Sequence, residues 1–282
     1  MRKSAGKVSL VSSRSLIIAA ACLIGLATIA SLLQLTCPTR PQNLQSVWMQ
    51  RAHSALEPSR KRTFSEIYGK NSWNVGAMPD AMDSVTRAGP GSSLLYTAAV
   101  REFLGAFIRN HSISSVADMS CNEMLWQPLI PGFAELQSFA GFDIVPTAIA
   151  VARANLSYLA AQGVALPNEV TLDVMDMASE PLPRAYDLVI VRDTLFHMPF
   201  TDALAALTHI ANSGSRFLGT TTIDLDKLRN TFILPGEWYP LNLRMPPFLF
   251  PPPLTEVLEG LPGTDYWGTK KFAVWRLPLF PK

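Results

Sequence analysis

The stretch SSVADMSCNEMLW, Ser114 to Trp126, decides how the rest of the chain is read. A β-like run, Ile113–Met119, carries an acid near its end, Asp118. A short turn of Ser120, Cys121 and Asn122 follows, and the pattern then predicts a helix carrying Trp126. In nucleotide-binding α/β proteins the turn between first strand and helix is usually rich in glycine, because glycine accepts positive φ and lets a ligand approach the backbone. This turn has no glycine. Either it still binds a ligand, or it is a connection that has lost one.

Outward from that stretch, apolar β-like runs alternate with helical patterns. Leu94–Ile108 sets Leu95, Val100, Phe103, Leu104 and Phe107 at helical spacing. Phe139–Val145 and Val170–Met175 read as further strands. Between them Pro146 opens a helix, Thr147–Leu159, with Ile149, Ala152 and Leu156 on one face; proline suits a first turn. Tyr186–Val191 is a continuous apolar run, the mark of a strand buried on both faces. Thr201–Ala211 reads as a helix, Arg216–Thr222 as a fifth strand, and Phe272–Leu277 as a run able to pair at a sheet edge. This alternation predicts an α/β fold, a Rossmann-like, doubly wound, mostly parallel sheet. Such sheets bind ligands at the carboxyl ends of their strands. Asp118, Asp143, Asp176 and the pair Arg192-Asp193 stand at successive strand ends. Each alone would serve as a helix cap; together they read as the rim of a site.

The chain has 282 residues, 48% hydrophobic and 16% charged, enough for a sizeable core. Its net charge of +2 hides an asymmetry. Residues 1–62 hold nine Lys and Arg and one acid, Glu57, whereas the remainder carries 15 basic and 21 acidic residues, a net of −6. An acidic main domain argues against a nucleic-acid partner. The basic balance belongs to an N-terminal arm in which Ser15 to Thr39 carries no charge and Leu16 to Leu33 is almost wholly apolar. About 20 such residues cross a bilayer as a helix, whereas a signal-peptide core runs ~7–15. The length predicts a transmembrane signal anchor over 15–37, with a cleavable signal as the alternative. Arg2, Lys3, Lys7 and Arg14 precede the span, which keeps a tail, 1–14, in the cytoplasm and sends the rest across. That is the layout of a single-pass type II membrane protein of the Golgi or endoplasmic reticulum, with the main domain lumenal. Residues 38–62, with Pro38, Pro41, Pro58 and the basic run Arg60-Lys61-Arg62, read as a stem; residues 63–282 read as the folded domain. Asn110 and Asn155 head glycosylation triplets, a short pattern that also arises by chance. Three cysteines, Cys22, Cys37 and Cys121, give neither a disulfide framework nor a paired metal-ligand spacing, so no metal site is expected.

At this point the chain resembles the class I S-adenosylmethionine (SAM)-dependent methyltransferases, in particular a group whose first motif reads Asp-x-x-Cys-Gly-Asp-x-x-Trp. Here the motif stands as Asp118, Cys121, Asn122, Glu123 and Trp126. FSEIYGKNSW (64–73), GPGSSL (89–94), GFDIVPTAI (141–149), MDMASEPLP (175–183), DLVIVRDTLFHM (187–198) and LPGEWYPLNLRMPPF (234–248) follow in the same order. The resemblance implies that Asp118 and the loop Ser120, Cys121 and Asn122 line the methionine half of SAM. It implies that Asp143, with Ile144 beside it, accepts from the ribose hydroxyls, and that Asp176 takes the adenine amino group with Met177 at the ring. Residues 87–93 would cover the amino-acid end, and Arg192, Asp193 and His197 would face the methyl group and its acceptor. The family's glycine is Asn122 here. Asn tolerates the left-handed region better than other non-glycine residues, so the loop is expected to keep its shape.

Methyl transfer to a hydroxyl needs alignment and removal of a proton. His197, a few residues past a strand end, is the candidate base, with Asp193 to orient it or contact the acceptor. The plainer roles are a turn cap for His197 and pairing with Arg192 for Asp193. Trp238, in a Pro/Gly-rich loop with Asn230 and Asn242 nearby, suits stacking on a sugar face with amides reading hydroxyls; packing the loop down is the other reading. A lumenal domain makes glycan O-methylation the specific expectation. Two alternatives stand beside it. Asp224-Leu-Asp226 follows a strand and matches the metal and nucleotide-sugar pattern of a type II glycosyltransferase. The missing glycines allow a non-catalytic, membrane-tethered binding protein of the same fold. No G-x-G-x-x-G follows a strand, which argues against a nicotinamide enzyme.

Overall fold

Strands buried on both faces are largely apolar, and the wholly apolar strand, Leu188–Val191, lies at the centre of the sheet. The computed structural model describes residues 59–74, 86–224, 229–259 and 269–279. Its strands are β1 (Ser115–Asp118), β2 (Ser138–Asp143), β3 (Glu169–Val174), β4 (Leu188–Val191), β5 (Phe217–Ile223), β6 (Thr255–Leu258) and β7 (Lys270–Arg276). They form one sheet in the order β3-β2-β1-β4-β5-β7-β6. Neighbours among β1–β5 pair in parallel, and β7 runs antiparallel to both β5 and β6. Every residue of β2, β4 and β5 is buried, whereas β3, at one edge, exposes Glu169, Thr171, Asp173 and Val174.

Residues 59–69 are helical (α1). Three further helices follow: α2 (Leu94–Asn110), α3 (Pro146–Ala161) and α4 (Phe200–Asn212). Ser93 caps α2 by accepting from the Tyr96 amide. Strand residues alternate between two cores. Ala117, Val189, Val191 and Leu218 pack with Ala203, Leu207 and Ile210 of α4. Val116, Leu188, Ile190 and Phe217 pack with Leu104 and Phe107 of α2 and with Ile149, Ala152 and Leu156 of α3. Each fully buried side chain of this size contributes about 1.5–3 kcal/mol relative to exposure, which is why the sheet tolerates a polar rim at one end.

Four sequence expectations are corrected here. No α-helix follows β1: the connection is a turn and two short 3-10 segments, Gln127–Leu129 and Phe133–Glu135, with Trp126 at the entrance to the first. Pro128 and Pro131 leave too few backbone donors in that stretch for a continuous helix. The run at 272–277 is no edge strand. As β7 it lies between β5 and β6, and the four-residue β6, flanked by Pro251–Pro253, forms the edge. Leu95 is exposed although its spacing put it with the apolar face of α2. The boundary at Thr63 falls inside α1, where Arg60 is only 1% exposed. Asn155 donates its side-chain amide to the Glu123 carbonyl at 2.8 Å, so that amide is engaged within the fold. Among the described residues no helix is long and apolar enough to cross a membrane. The tail 1–14, the span 15–37 and most of the stem lie outside the described residues.

One packing detail gives a test with an unusual sign. Gly105, in α2, faces the 3-10 connection so closely that an added Cβ would stand 2.8 Å from the Pro131 carbonyl oxygen. A glycine-to-alanine change inside a helix ordinarily stabilises by about 0.5–1 kcal/mol. Here Gly105→Ala is expected to destabilise by about 1–3 kcal/mol, since backbone must shift. Urea unfolding of the two proteins checks the sign.

Candidate functional site

The reversal of strand order beside β1 opens a crevice at the carboxyl ends of the parallel strands, and the quoted loop forms its floor. Asp118 shapes that loop from below. One carboxylate oxygen accepts from the Ser120 amide at 3.1 Å, the other from the Gln127 side chain at 2.9 Å. Gln127 donates also to the Cys121 carbonyl at 2.9 Å. The Met119 amide donates to Ile190 of β4 and the Cys121 amide to Phe142 of β2, so the loop is stitched to both neighbouring strands. Asn122 has φ 50 and Met124 φ 55, both left-handed, without a glycine. The Asn122 amide donates to Asp143 at 3.1 Å. The room that a loop glycine usually supplies is found one strand away. At Gly141 a Cβ would come within 2.9 Å of the Cys121 sulfur.

Above this floor lies a cavity of about 400 Å³. The chain's other elements close around it. Phe64, Tyr68 and Trp73 come from α1 and the turn after it, and residues 88–92 form a second wall. Ser120, Asn122, Asp143, Ile144, Asp176, Met177, Arg192, Asp193, His197 and Trp238 all line it. Asp118 and Cys121 do not; they are buried beneath the loop and act through its shape.

Asn230 and Asn242 do not line it either, which corrects the sugar-reading role given to them. The Asn230 amide nitrogen donates to the carbonyls of Asn242 and Pro246, and its oxygen accepts from the Asn242 amide. The Asn242 side chain accepts from the Arg244 amide. Both fasten a loop without strands to satisfy its backbone. Trp238 does reach the cavity, with its ring 6.2 Å from that of Phe196.

Charges around the cavity are arranged in two groups. Arg60, buried, donates from Nε and Nη2 to one oxygen of Asp176 at 2.9 and 2.7 Å, and its Nη1 lies 3.4 Å from Asp202 of α4. Asp176 also accepts from Ser179 and from the Ala178 amide, so an adenine amino group would share this carboxylate with three other donors. The second group joins Arg192, Asp193, Glu259 and Lys270. Arg192 pairs through Nε with Glu259 and lies 3.4 Å from Asp193; Lys270 is 2.5 Å from Asp193 and 3.2 Å from Glu259. Asp193, at φ 55, also accepts from the Thr221 hydroxyl at 2.9 Å. Burial pushes the Asp193 carboxyl up, but Arg192 and Lys270 outweigh it and hold it below its ordinary range.

The His197 ring faces the Glu237 carbonyl through Nδ1 at 2.9 Å. A carbonyl only accepts, so Nδ1 carries the proton and Nε2 keeps a lone pair. Burial lowers the imidazole pKa, partly offset by that carbonyl and by Asp193, so the ring is neutral near pH 7. The Trp73 ring stands 5.5 Å from it. His209 and His111 are elsewhere: His209 bonds the Met177 carbonyl and His111 packs on Phe107.

Sequence reasoning missed Arg60, Trp73, Glu259 and Lys270. The basic run 60–62 was the one available signal for Arg60. Glu259 follows β6 and Lys270 opens β7, and no motif joins them.

With this geometry in view, the fold can be placed. The chain resembles the magnesium protoporphyrin IX methyltransferase ChlM of Synechocystis PCC 6803, solved with bound SAM, at a TM-score of 0.53 and 16% identity over 77% of this chain and 97% of that one. It also resembles the N-methyltransferase NodS of Bradyrhizobium japonicum WM9, in complex with S-adenosyl-L-homocysteine, at a TM-score of 0.50 and 12% identity over 75% and 98%. No family model and no curated protein sequence matches. The fold is that of the class I methyltransferases.

Two tests follow. Removing the Arg60 charge leaves Asp176 and Asp202 buried without it, so Arg60→Met is expected to destabilise by about 3–5 kcal/mol. The double change Arg60→Met, Asp176→Asn is expected to recover part of that loss in the same denaturant assay. The second test is pH. Burial raises the Asp118 carboxyl to about 6, against donation from Gln127 and the Ser120 amide. Burial likewise raises Asp143 to about 6, against the Val145 and Asn122 amides. A raised folded-state pKa gives stability that is complete below the ordinary carboxylate pKa and is lost as pH rises through the folded value. The melting temperature is therefore expected to rise from pH 7 to pH 5, and to rise less in Asp118→Asn. Asp187 acts in the opposite direction at lower pH: burial raises it, but Arg216 and the Ser114 and Ser115 donors outweigh that and bring it to about 2, so its contribution fades only in strong acid.

Proposed function

We propose that this chain is a membrane-anchored, SAM-dependent methyltransferase that methylates a hydroxyl acceptor in the secretory pathway. A glycan is the first acceptor class to test. The observation that carries the reading is a pair of buried polar atoms with no hydrogen-bond partner, Asn122 Oδ1 and Arg192 Nη2, both on residues that line the cavity. One is an acceptor and the other a cationic donor. An α-amino acid end, with its ammonium and carboxylate, answers both. Asp143, at the end of β2, supplies a two-oxygen acceptor for ribose hydroxyls, and Met177 and Ile144 offer apolar contact for a base. The residues present thus fit SAM, whose contribution when bound is an electrophilic methyl group on a sulfonium. The motif order from Phe64 to Phe248 supports the same assignment.

The rest is done by side chains. His197, neutral and with Nε2 free of its carbonyl partner, takes the acceptor's proton. Asp193, ionised beside Arg192 and Lys270, stabilises the imidazolium that forms. Trp73 and Trp238 bound the space where the acceptor enters and keep water from it. The charge-run reading of a lumenal domain supports an acceptor in the secretory pathway, and the exposed aromatic face of Trp238 supports a sugar ring.

The alternatives have less behind them. The left-handed Asn122 removes the motive for a binding protein with a collapsed loop. Asp224 pairs with Lys271 at 3.0 Å and does not line the cavity, and Asp226 lies outside the described residues. Among the described residues no cluster of three His, Cys, Asp or Glu is placed to hold a metal.

The experiment combines binding with turnover. SAM is expected to raise the melting temperature of the full chain, as a ligand of the folded state must. Asp143→Ala is expected to weaken that binding at least about tenfold, the loss of one charge-assisted hydrogen bond. With methyl-labelled SAM and free glycans, His197→Ala is expected to lower turnover by about 10²–10⁴ while SAM binding persists. Loss of turnover at acid pH is expected in the parent, as His197 becomes protonated. Label in peptides or small molecules but in no sugar would discard the glycan, and unaltered turnover in His197→Ala would discard the base.

A further inference from the structure

The loop fastened by Asn230 exposes three large apolar side chains. Phe232 and Leu234 are each 59% exposed and Leu249 57%, values expected of lysines rather than of large apolar side chains. They belong to one folded unit. Phe232 and Phe248 both meet the ring of Phe200 edge-on, at 6.3 and 5.7 Å, and Leu249 follows Phe248. Asn230 binds the chain to 242 and 246. The same loop borders the cavity, because Trp238 is at once a lining residue and 37% exposed. It also presses on α1: a Cβ on Gly236 would lie 2.3 Å from Ile67. Arg229 and Arg244 are exposed within the same segment, and Glu237 is the one acid between residues 229 and 250.

We propose that the segment 229–249 rests in a lipid bilayer surface, with Phe232, Leu234 and Leu249 among the acyl chains and Arg229 and Arg244 at the headgroups. Apolar side chains inserted at the acyl boundary with basic ones beside them are what peripheral membrane contact requires. The uncharged run from Ser15 to Thr39 is read above as an anchor, and the inference rests on that reading. Only about 20 residues separate the end of that run from residue 59, so by contour length the domain stays within ~70 Å of the membrane. Contacts too weak to recruit a free protein become effective when a tether holds them at high local concentration. The mouth beside Trp238 then receives acceptors displayed at the membrane surface.

The test uses the full chain in phosphatidylcholine vesicles, with Cys22 and Cys37 replaced by Ser. Single cysteines at Phe232→Cys, Leu249→Cys and, as control on α3, Tyr158→Cys carry an environment-sensitive fluorophore. Tyr158 is 65% exposed and lies on a different element. Emission from 232 and 249 is expected to shift to shorter wavelength and to fall when the acyl chains carry bromine, with position 158 unchanged. An alkaline wash of the vesicles reports the anchor separately. A chain that resists the wash yet shows 232 and 249 behaving like 158 overturns the docking surface while leaving the anchor intact. A chain that washes off but is quenched before the wash keeps the docking surface and removes the anchor. Labels shielded from aqueous iodide and untouched by bromine show the patch covered by protein, which also overturns the proposal.

Discussion

One buried carboxylate holds the binding loop in place. Asp118 ends β1 under the crevice and gives one oxygen to the Ser120 amide and the other to Gln127, which in turn holds the Cys121 carbonyl. These bonds let the chain leave the strand and turn back without glycine, and they place the Asn122 amide on Asp143. The cost is a charge in a dry place, visible in the raised pKa of both acids. A buried ion is tolerated only where donors surround it, so the loop and the strand end depend on each other.

The roof over the cavity is built differently from the floor. It comes from a segment that precedes the sheet in sequence and is fixed by one cation. Arg60 spans Asp176, past β3, and Asp202, in α4, and thereby seats Phe64, Tyr68 and Trp73 above the strand ends. The Tyr68 hydroxyl donates to Glu123 at 2.7 Å and joins that roof to the loop. Wall, roof and floor are thus tied by polar bonds that the surrounding apolar packing shields from water.

What the sequence revealed follows from how local each signal is. The runs Leu188–Val191 and Phe217–Gly219 point to central strands because each is apolar without a break. The rule that parallel sheets bind ligands at strand ends then picks out Asp143, Asp176, Arg192 and Asp193 with no further information. The left-handed turn at Asn122 was legible from side-chain chemistry. Other features depend on tertiary placement. Glu259 meets Arg192, and Lys270 meets Glu259 and Asp193, only because β6 and β7 add to the sheet beyond β5. Arg60 looked like stem charge because its partners lie 116 and more residues away. Asn230 and Asn242 misled for the converse reason: amides that suit a sugar suit an orphaned loop backbone equally well, and composition does not distinguish the two.

The raised pKa of Asp143 has a consequence for how the crevice fills. Near neutral pH a fraction of molecules holds a proton on that carboxyl, because burial has brought its pKa to about 6. A positively charged occupant favours the ionised form and expels that proton as it enters. Association then releases a fraction of a proton per molecule, and its measured heat includes the ionisation of whatever buffer takes up the hydrogen ion.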